Sequence, residues 1–279
     1  MAIKNKLAHW LYLNKSVFDP KFTELDWTTT YSPGLYDFAT KISYGEKTAE
    51  GRGMDLDRSL ALEKSVAEAI ERLIFYKTQK SFLGFAVSGR SGADKHAYFE
   101  ALERYFIYAH LNEQISFKKI DINLASLNSK NEYAAFLKRI PNVTLSFYSM
   151  AAPAPYFGIV CHIVMNNSFN ILGFSLTDNL EESLAKSFRE ALANFAWLHS
   201  AQDSIQTKSK IHLKVPAHIG TEFLSQIIPL FEKSEDTALS IPIPELERTE
   251  IKLNDFSEFR NCPITPVGYQ VKGLEIQLW

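Results

Sequence analysis

The chain has 279 residues, of which 46% are hydrophobic and 22% are charged, the composition of an ordinary folded protein. Its formal net charge of −2 shows no basic footprint, so no nucleic-acid partner is expected. No apolar run reaches the roughly 18 residues of a membrane span, and no signal peptide is evident, so we expect a cytoplasmic protein without a membrane partner. Cys161 and Cys262 are too few for a disulfide scaffold, and we expect neither a disulfide nor a catalytic thiol.

The first half of the chain is predicted to repeat one order of elements. The first 40 residues are expected to be irregular. After them, a strand, a glycine-bearing loop and an acidic helix occur twice, over residues 41–79 and 82–110. The loops are Gly51-Arg-Gly53 and Ser88-Gly-Arg-Ser-Gly92. A loop of backbone N–H groups before a helix N-terminus suits phosphate, so both loops are candidate phosphate sites.

The second half is predicted to alternate strands with helices. The expected strands lie near residues 115–121, 143–150, 156–165, 170–176, 211–215, 249–253 and 267–278. The expected helices lie near residues 129–139, 178–199 and 221–234. The short connection at 166–168 requires antiparallel pairing of the strands that it joins. Since no linker divides the chain, we predict one compact α+β domain over residues 1–279.

Standard catalytic signatures are absent from the sequence. It contains no Walker lysine loop, no Gly-x-Gly-x-x-Gly and no His-Glu-x-x-His, so the usual nucleotide and zinc-hydrolase motifs give no support. It also lacks a Gly-x-Ser-x-Gly elbow, and no serine has the spacing of a nucleophile. Nucleophilic catalysis is therefore poorly supported.

Five glutamates on three predicted helices are the candidate metal ligands. They are Glu68, Glu71, Glu100, Glu103 and Glu190. Carboxylates three residues apart lie on one helix face, and carboxylate oxygens are the ligands of Mg²⁺, which usually accompanies a nucleotide. We predict that all five converge on one cleft. The alternative is that Glu-x-x-Glu-Arg is a solvated helix face with ion pairs four residues apart.

The order of these motifs resembles the YcaO family over residues 41–200. Gly51-Arg-Gly53, Ser65 and Glu68-x-x-Glu71-Arg72 resemble its first nucleotide motif, and Ser88-Gly-x-x-Gly92 with Glu100-x-x-Glu103-Arg104 resembles its second. The strands at 157–174 and the helix at 184–190 resemble its strand pair and third helix. Lys272-Gly-Leu274 resembles a late Pro-Gly-Leu segment.

The resemblance implies an α+β domain that binds ATP through Mg²⁺ and carboxylates between three acidic helices. It further implies ATP-dependent activation of a peptide backbone amide, in azoline-forming cyclodehydration or thioamidation. The implied partner is a peptide substrate, and a peptide-recognition or E1-like protein or a homodimer is compatible with the family. The implied metal ligands are the five glutamates. The implied nucleotide-binding residues are Arg52, Lys64, Ser65, Arg72, Ser88, Arg104 and Lys186.

The chain also departs from the family pattern. Arg52 replaces the usual lysine, and the motif serine is displaced to Ser65 by Lys64. Ala193 and Phe195 stand where glutamine and arginine are usual, and no proline-rich tail is present. Three hypotheses follow: an ATP- and Mg²⁺-dependent enzyme acting on a peptide amide, a degenerate relative that binds a peptide or partner without ATP turnover, and a coincidental resemblance built on structural ion pairs.

Overall fold

The computed structural model describes most of the chain. The described residues are 6–78, 82–87, 92–128, 130–165, 169–205, 221–232, 240–252, 257–259, 261–264 and 266–273. Packing divides the chain into two compact units, the first from Met1–Ala101 with Glu245–Glu275 and the second from Leu102–Pro244 with Ile276–Trp279. None of the described helices combines the length and apolar character that a membrane crossing requires.

The first unit contains two three-stranded antiparallel sheets. Its elements are α1 (Lys6–Leu13), α2 (Lys15–Phe18), β1 (Lys21–Glu24), α3 (Trp27–Tyr31), β2 (Tyr36–Tyr44), β3 (Lys47–Asp55), α4 (Arg58–Thr78), β4 (Gly84–Ala86), the start of α5 (Ala93–Asn112), β9 (Leu246–Glu250) and β10 (Val267–Val271). One sheet has the order β1-β2-β3 and the other has the order β4-β10-β9. Strands β3 and β4 therefore each lie at the edge of a sheet.

Helix α4 is the main packing element of the first unit. It begins after Asp57, whose carboxylate accepts the N–H of Ser59 at 2.8 Å and so caps the helix. Its apolar residues recur every three or four positions, and that stripe is buried against α1, α2 and the sheet. The buried stripe includes Val66, Ile70 and Leu73. The helix therefore lies with one face on the core and its glutamates on the flank.

The second unit is a four-stranded antiparallel sheet with helices packed on it. Its elements are the rest of α5, β5 (Lys118–Ile120), α6 (Lys130–Arg139), β6 (Val143–Ser149), β7 (Phe157–Met165), β8 (Phe169–Thr177), α7 (Leu180–Ile205), α8 (Thr221–Ile227) and α9 (Pro229–Glu232). The sheet order β5-β6-β7-β8 places β5 and β8 at its edges. Aromatic rings fill the space between α6 and α7, where Phe136 contacts Phe188 and Phe195 edge-on.

The α+β class and the antiparallel strand pair are confirmed, but two local predictions are wrong. The first 40 residues contain three helices and strand β1 among those described, rather than irregular chain. Gly51-Arg-Gly53 lies inside β3, paired with β2, and is not a loop. The turn at 166–168 and the strand expected near 211–215 lie outside the described residues. The single domain over residues 1–279 stays a prediction.

Candidate functional site

Glu68 on α4 is bonded to the backbone of edge strand β3. One carboxylate oxygen accepts the N–H of Arg52 at 2.7 Å, and the other accepts from the guanidinium of Arg72, four residues further along the helix. The side chain of Glu68 keeps 32% of its surface exposed. The bond to the strand fixes where the carboxylate points, and the exposed fraction leaves it accessible to a ligand.

Glu71 and Glu100 hold edge strand β4 in the same way. Glu100 on α5 accepts the N–H of Phe85 at 3.0 Å, and Glu71 on α4 accepts the N–H of Val87 at 2.8 Å. Residues two apart in a strand direct their N–H groups to the same side. The two carboxylates therefore satisfy donors along one edge of β4, while β10 pairs with the other edge.

Glu190 repeats this arrangement in the second unit. It lies on α7 and accepts the N–H of Phe174, in edge strand β8, at 2.7 Å. Three edge strands, β3, β4 and β8, are thus each bonded to a helix carboxylate. This gives the glutamates a structural role, because an edge strand otherwise leaves N–H groups unpaired.

A strand glycine lies directly before each of the residues that donate to Glu68, Glu100 and Glu190. A Cβ atom built on Gly51 would lie 2.2 Å from the carbonyl oxygen of Ser65, and one on Gly84 would lie 2.0 Å from that of Ala97. A Cβ on Gly173 would lie 2.1 Å from the carbonyl oxygen of Ser187. Only glycine allows the strand so close to the helix backbone. The facing helix has the same pattern in all three cases. A small residue lies three positions before the glutamate, and an alanine follows the glutamate directly.

Burial is the main reason why the pKa of Glu68 is raised, although Arg72 forms an ion pair with it. Burial raises the pKa of Glu68, and the nearby carboxylate of Glu100 raises it further, whereas Arg72 and the N–H of Arg52 lower it. Two partly buried carboxylates that interact electrostatically provide the oxygen ligands that a hard cation such as Mg²⁺ prefers. Among the described residues, no group of three or more histidine, cysteine, aspartate or glutamate side chains is close enough to hold a metal ion.

The three residues predicted to bind nucleotide near the start of α4 make other contacts. The guanidinium of Arg52 donates to the fully buried carboxylate of Asp37 and to the hydroxyl of Thr28 at 3.0 Å. Lys64 pairs with Asp55 at 2.7 Å. Ser65 is fully buried, where its hydroxyl donates to the carbonyl of Leu62 at 2.8 Å and lies 2.7 Å from the hydroxyl of Thr40.

The other predicted nucleotide-binding residues are spread over both units. Arg72 donates to the carbonyl of Glu50 at 2.7 Å as well as to Glu68, and Lys186 pairs with Glu182 at 2.7 Å. Glu103 and Arg104 are half-buried on α5. Ser88 lies outside the described residues. The convergence of all five glutamates and the role of these residues toward a nucleotide stay predictions.

Two positions where the chain departs from the YcaO pattern are buried on α7. Phe195 is 1% exposed and packs edge-on against Phe136 with ring centroids 5.3 Å apart, and Ala193 is 7% exposed. These side chains belong to the hydrophobic core, where an arginine would need a partner for its charge.

Cys161 and Cys262 are both free in the structure. Cys161 is fully buried and Cys262 is half-buried, and burial raises the pKa of both thiols. A raised pKa disfavours the thiolate, which is the nucleophilic form.

Asp37 and Thr28 are residues of this region that the sequence analysis did not select. Asp37 is fully buried, and it accepts hydrogen bonds from both Arg52 and Thr28. The available signal was a lone aspartate in the apolar, alternating sequence of β2. A buried carboxylate requires a cationic or hydrogen-bonding partner, and Arg52 lies two residue pairs away in the β2–β3 register.

The sequence matches no protein-family model and no curated protein sequence. The fold, however, is similar to solved structures. One is YcaO from Methanopyrus kandleri bound with AMPPCP and Mg²⁺, with a TM-score of 0.62 and 9% identity over 97% of this chain and 91% of that chain. A second is the E. coli microcin synthetase complex McbBCD, with a TM-score of 0.54 and 10% identity over 84% of each chain.

A third similar structure is a heterocyclase in complex with substrate and cofactor. It has a TM-score of 0.62 and 10% identity, and the match covers 97% of this chain and 52% of the heterocyclase. The present chain thus spans about half of the heterocyclase's length. From the agreement of these structures, the chain has a YcaO-like fold.

Proposed function

We propose that this chain is a YcaO-like protein that uses ATP and Mg²⁺ to activate a peptide backbone amide, in azoline-forming cyclodehydration or thioamidation. The proposal rests mainly on Glu68 and Glu100. Each carboxylate accepts a hydrogen bond from a backbone N–H group, and the two carboxylates interact electrostatically. The YcaO-like fold supports it, since a similar structure was solved with AMPPCP and Mg²⁺.

The glutamates have defined roles in this proposal. Glu68, Glu71 and Glu100, with Glu103 and Glu190, would hold Mg²⁺ through their carboxylate oxygens, which requires their side chains to move together, because as they stand no three of the described carboxylates form such a group. When bound, ATP and Mg²⁺ would supply phosphorylation of the amide oxygen with release of ADP, so that the oxygen could later leave as phosphate, and the metal would disperse the negative charge that develops. The strand N–H groups that donate to Glu68, Glu71, Glu100 and Glu190 would orient these carboxylates before a ligand arrives. Arg72 balances part of the charge at Glu68.

A second candidate is a degenerate relative that binds a peptide or partner protein without ATP turnover. It is favoured by the buried Phe195 at the usual arginine position and by the bonding of Arg52 to Asp37. Phe195 supplies no positive charge for a phosphate, and the guanidinium of Arg52 is bonded to Asp37 in this structure. The two candidates differ in turnover rather than in fold.

ATP-to-ADP turnover with candidate peptides, with and without Mg²⁺, tests the proposal. We expect Mg²⁺-dependent turnover that Glu68→Gln lowers by more than about tenfold, a loss near 1.4 kcal/mol of transition-state stabilisation. The matched control is Glu46→Gln, an exposed site in the same unit with the same change of charge, which should keep full turnover. Nucleotide binding without turnover selects the second candidate, and the absence of nucleotide binding contradicts the first.

A further inference from the structure

A cavity of about 550 Å³ lies over one end of the four-stranded sheet in the second unit, a volume usual for ligand sites. Its lining includes Ser149 at the end of β6, Phe157 at the start of β7 and Leu180, the first residue of α7. Residues of β5 and of the segment between β6 and β7 complete the lining. We call this space the sheet-end cavity.

The register of the sheet shows which of its faces carries the cavity. Lys118 lies opposite Ser149, and Ser149 lies opposite Ile159. Residues paired across antiparallel strands direct their side chains to the same face, and all three of these residues line the cavity. Helix α7 covers this face, since it approaches the sheet at Gly173 and contributes Leu180 to the lining. The side chain of Lys118 is therefore on the cavity side of the sheet.

Lys119 belongs to the other face of β5. It alternates with Lys118 and lies opposite Tyr148. Helix α9 covers that face, because the ring of Phe231 lies 4.5 Å from that of Tyr148 and stacks on Phe117 at 4.9 Å, measured between ring centroids. Lys119 borders the cavity, but its side chain is directed to the opposite face. Lys118 thus supplies the cationic side chain that faces the cavity.

Apolar surface surrounds this charge. Ile159 is 1% exposed and forms part of the floor of the cavity, whereas Phe157 and Leu180 remain 39% and 41% exposed. Such large apolar side chains favour a ligand that covers them, because covering them removes apolar area from water. The cavity therefore offers one cation beside an apolar surface.

Nearby acidic side chains do not neutralise Lys118. At the start of α7, Glu181 accepts the N–H of Asn128 at 2.6 Å, and Glu182 pairs with Lys186 at 2.7 Å. Asp121 lines the cavity but is exposed beyond the end of β5. Among the described residues, none forms an ion pair with Lys118. This lysine can therefore bind the charge of a ligand.

We propose that the sheet-end cavity binds an apolar carboxylate. An aromatic or aliphatic group lies on Ile159, Phe157 and Leu180, and the carboxylate pairs with Lys118. An engineered cavity of about 150 Å³ holds benzene, so this larger cavity takes a ring with a short chain. A small carboxylic acid and the C-terminal residue of a peptide share this chemistry. The site contains none of the five glutamates and does not depend on the proposed ATP chemistry.

Methyl NMR without nucleotide tests the proposal on protein labelled at the isoleucine δ1 carbons. The probes are phenylbutyrate and phenylbutyramide, which differ in charge and have the same shape. We expect phenylbutyrate to shift the methyl signal of Ile159 and to leave that of Ile42, in the first unit, unchanged. The amide should bind about threefold more weakly, because an exposed ion pair contributes a factor of roughly two to five.

Variants of the two neighbouring lysines separate a specific site from general charge attraction. Lys118→Gln should weaken phenylbutyrate binding by about threefold and leave the affinity for the amide unchanged. Lys119→Gln is the matched control, because it makes the same change of charge on the opposite face and should bind phenylbutyrate like the wild type. Leu180→Gln alters the apolar side and should weaken both probes by about threefold or more.

Two peptide probes distinguish the sources of the ligand. They are N-acetyl-glycyl-phenylalanine and its C-terminal amide. Binding of the acid tighter than that of phenylbutyrate, with a loss in its amide, assigns the cavity to a peptide C-terminus. Binding of the acid weaker than that of phenylbutyrate assigns the cavity to a small carboxylic acid. Either result supports an apolar carboxylate as the ligand.

Three outcomes overturn the proposal. The first is no shift of Ile159 at about 10 mM phenylbutyrate, a concentration above the Kd expected for a ligand of about twelve non-hydrogen atoms. The second is equal affinity for the acid and the amide, and the third is an equal loss in Lys118→Gln and Lys119→Gln. Because no nucleotide is present, these outcomes leave the proposed ATP chemistry standing, and failure of turnover leaves carboxylate binding standing.

Discussion

The carboxylate of Glu190 has a contact that glutamine can keep and a charge that glutamine cannot. One oxygen accepts the N–H of Phe174 at 2.7 Å, and the amide oxygen of glutamine can accept the same bond. We expect Glu190→Gln to fold and to melt at an equal or higher temperature without ligand, because a partly buried charge is removed. Its affinity for Mg²⁺-nucleotide should fall by more than about tenfold, or 1.4 kcal/mol.

Glu113→Gln is the matched control for this prediction. Glu113 is exposed in the same unit, directly after α5, and belongs to no proposed binding site. Its substitution makes the same change of net charge and should leave nucleotide affinity unchanged. A Glu190→Gln variant that loses stability and keeps its nucleotide affinity would show that the carboxylate serves only to hold β8.

His110 makes the stability of the second unit depend on pH. The ring is fully buried, its Nδ1 donates to the carbonyl of Ile115, and its Nε2 accepts the N–H of Ala151 at 3.0 Å. Burial lowers the pKa of His110 from 6.5 to about 4. The unfolded chain therefore binds more protons between these values, so stability is full above pH 6.5 and is lost as the pH falls toward 4.

We expect the free energy of unfolding to fall by on the order of 3 kcal/mol across this window because of His110. Urea unfolding at pH 7.5, 5.5 and 4.5 measures the slope. His110→Gln has a donor and an acceptor but no titration, so it should flatten the slope while losing the stacking on Phe117. His162 also has a pKa lowered by burial, so a residual slope should remain. An unchanged slope in the variant would contradict this assignment.

At the scale of elements, the contact between β8 and α7 depends on Gly173. A Cβ there would lie 2.1 Å from the carbonyl oxygen of Ser187 and 2.3 Å from the backbone nitrogen of Ala191, and neither atom can move independently of the helix. Gly173→Ala should therefore separate the strand from the helix and destabilise the protein by more than about 2 kcal/mol. Chemical denaturation measures the loss.

Gly158→Ala in β7 is the control from the same sheet. A Cβ at Gly158 would lie 2.9 Å from the side chain of Met150, which is flexible and can be displaced. We expect this variant to lose less stability than Gly173→Ala. Equal losses would mean that glycine is required here for a reason other than approach to the helix backbone.

The elements with strong periodicity were predicted well from sequence. Helices α5, α6 and α7 and strands β6, β7 and β8 all occur where their apolar patterns indicated. Gly51-Arg-Gly53 was misassigned because glycine pairs usually indicate a turn, whereas here they permit the approach of α4. That requirement comes from a segment eight or more residues away, which a local turn pattern does not contain.

Only part of the candidate site was predicted from the sequence, for the same reason. Spacing alone identified the helix glutamates, but the strand N–H groups that hold them depend on tertiary packing. Likewise, the sequence indicated that Arg52 is cationic and near the first motif. The lone aspartate in β2 was visible as well, but its contact with Arg52 depends on the register of β2 and β3, which the sequence alone does not give.

At the scale of the whole molecule, Mg²⁺-nucleotide should stabilise the folded chain. A ligand that binds only the folded state at about one hundred times its Kd contributes about 2.7 kcal/mol. For a chain of this size, we expect the melting temperature to rise by about 4 °C or more. Thermal scans with ATP and Mg²⁺ measure the rise, and ATP with EDTA should give a smaller one. No shift at millimolar ligand would contradict nucleotide binding.

The buried Phe195 has a consequence for which substitutions the chain tolerates. An arginine at this position would place a guanidinium against Phe136 in a packed core, where its charge needs a partner. Accepting arginine here therefore requires compensating changes in α6 as well as α7. A single substitution of Phe195 by a charged residue is expected to be rejected, whereas large apolar residues should be tolerated best.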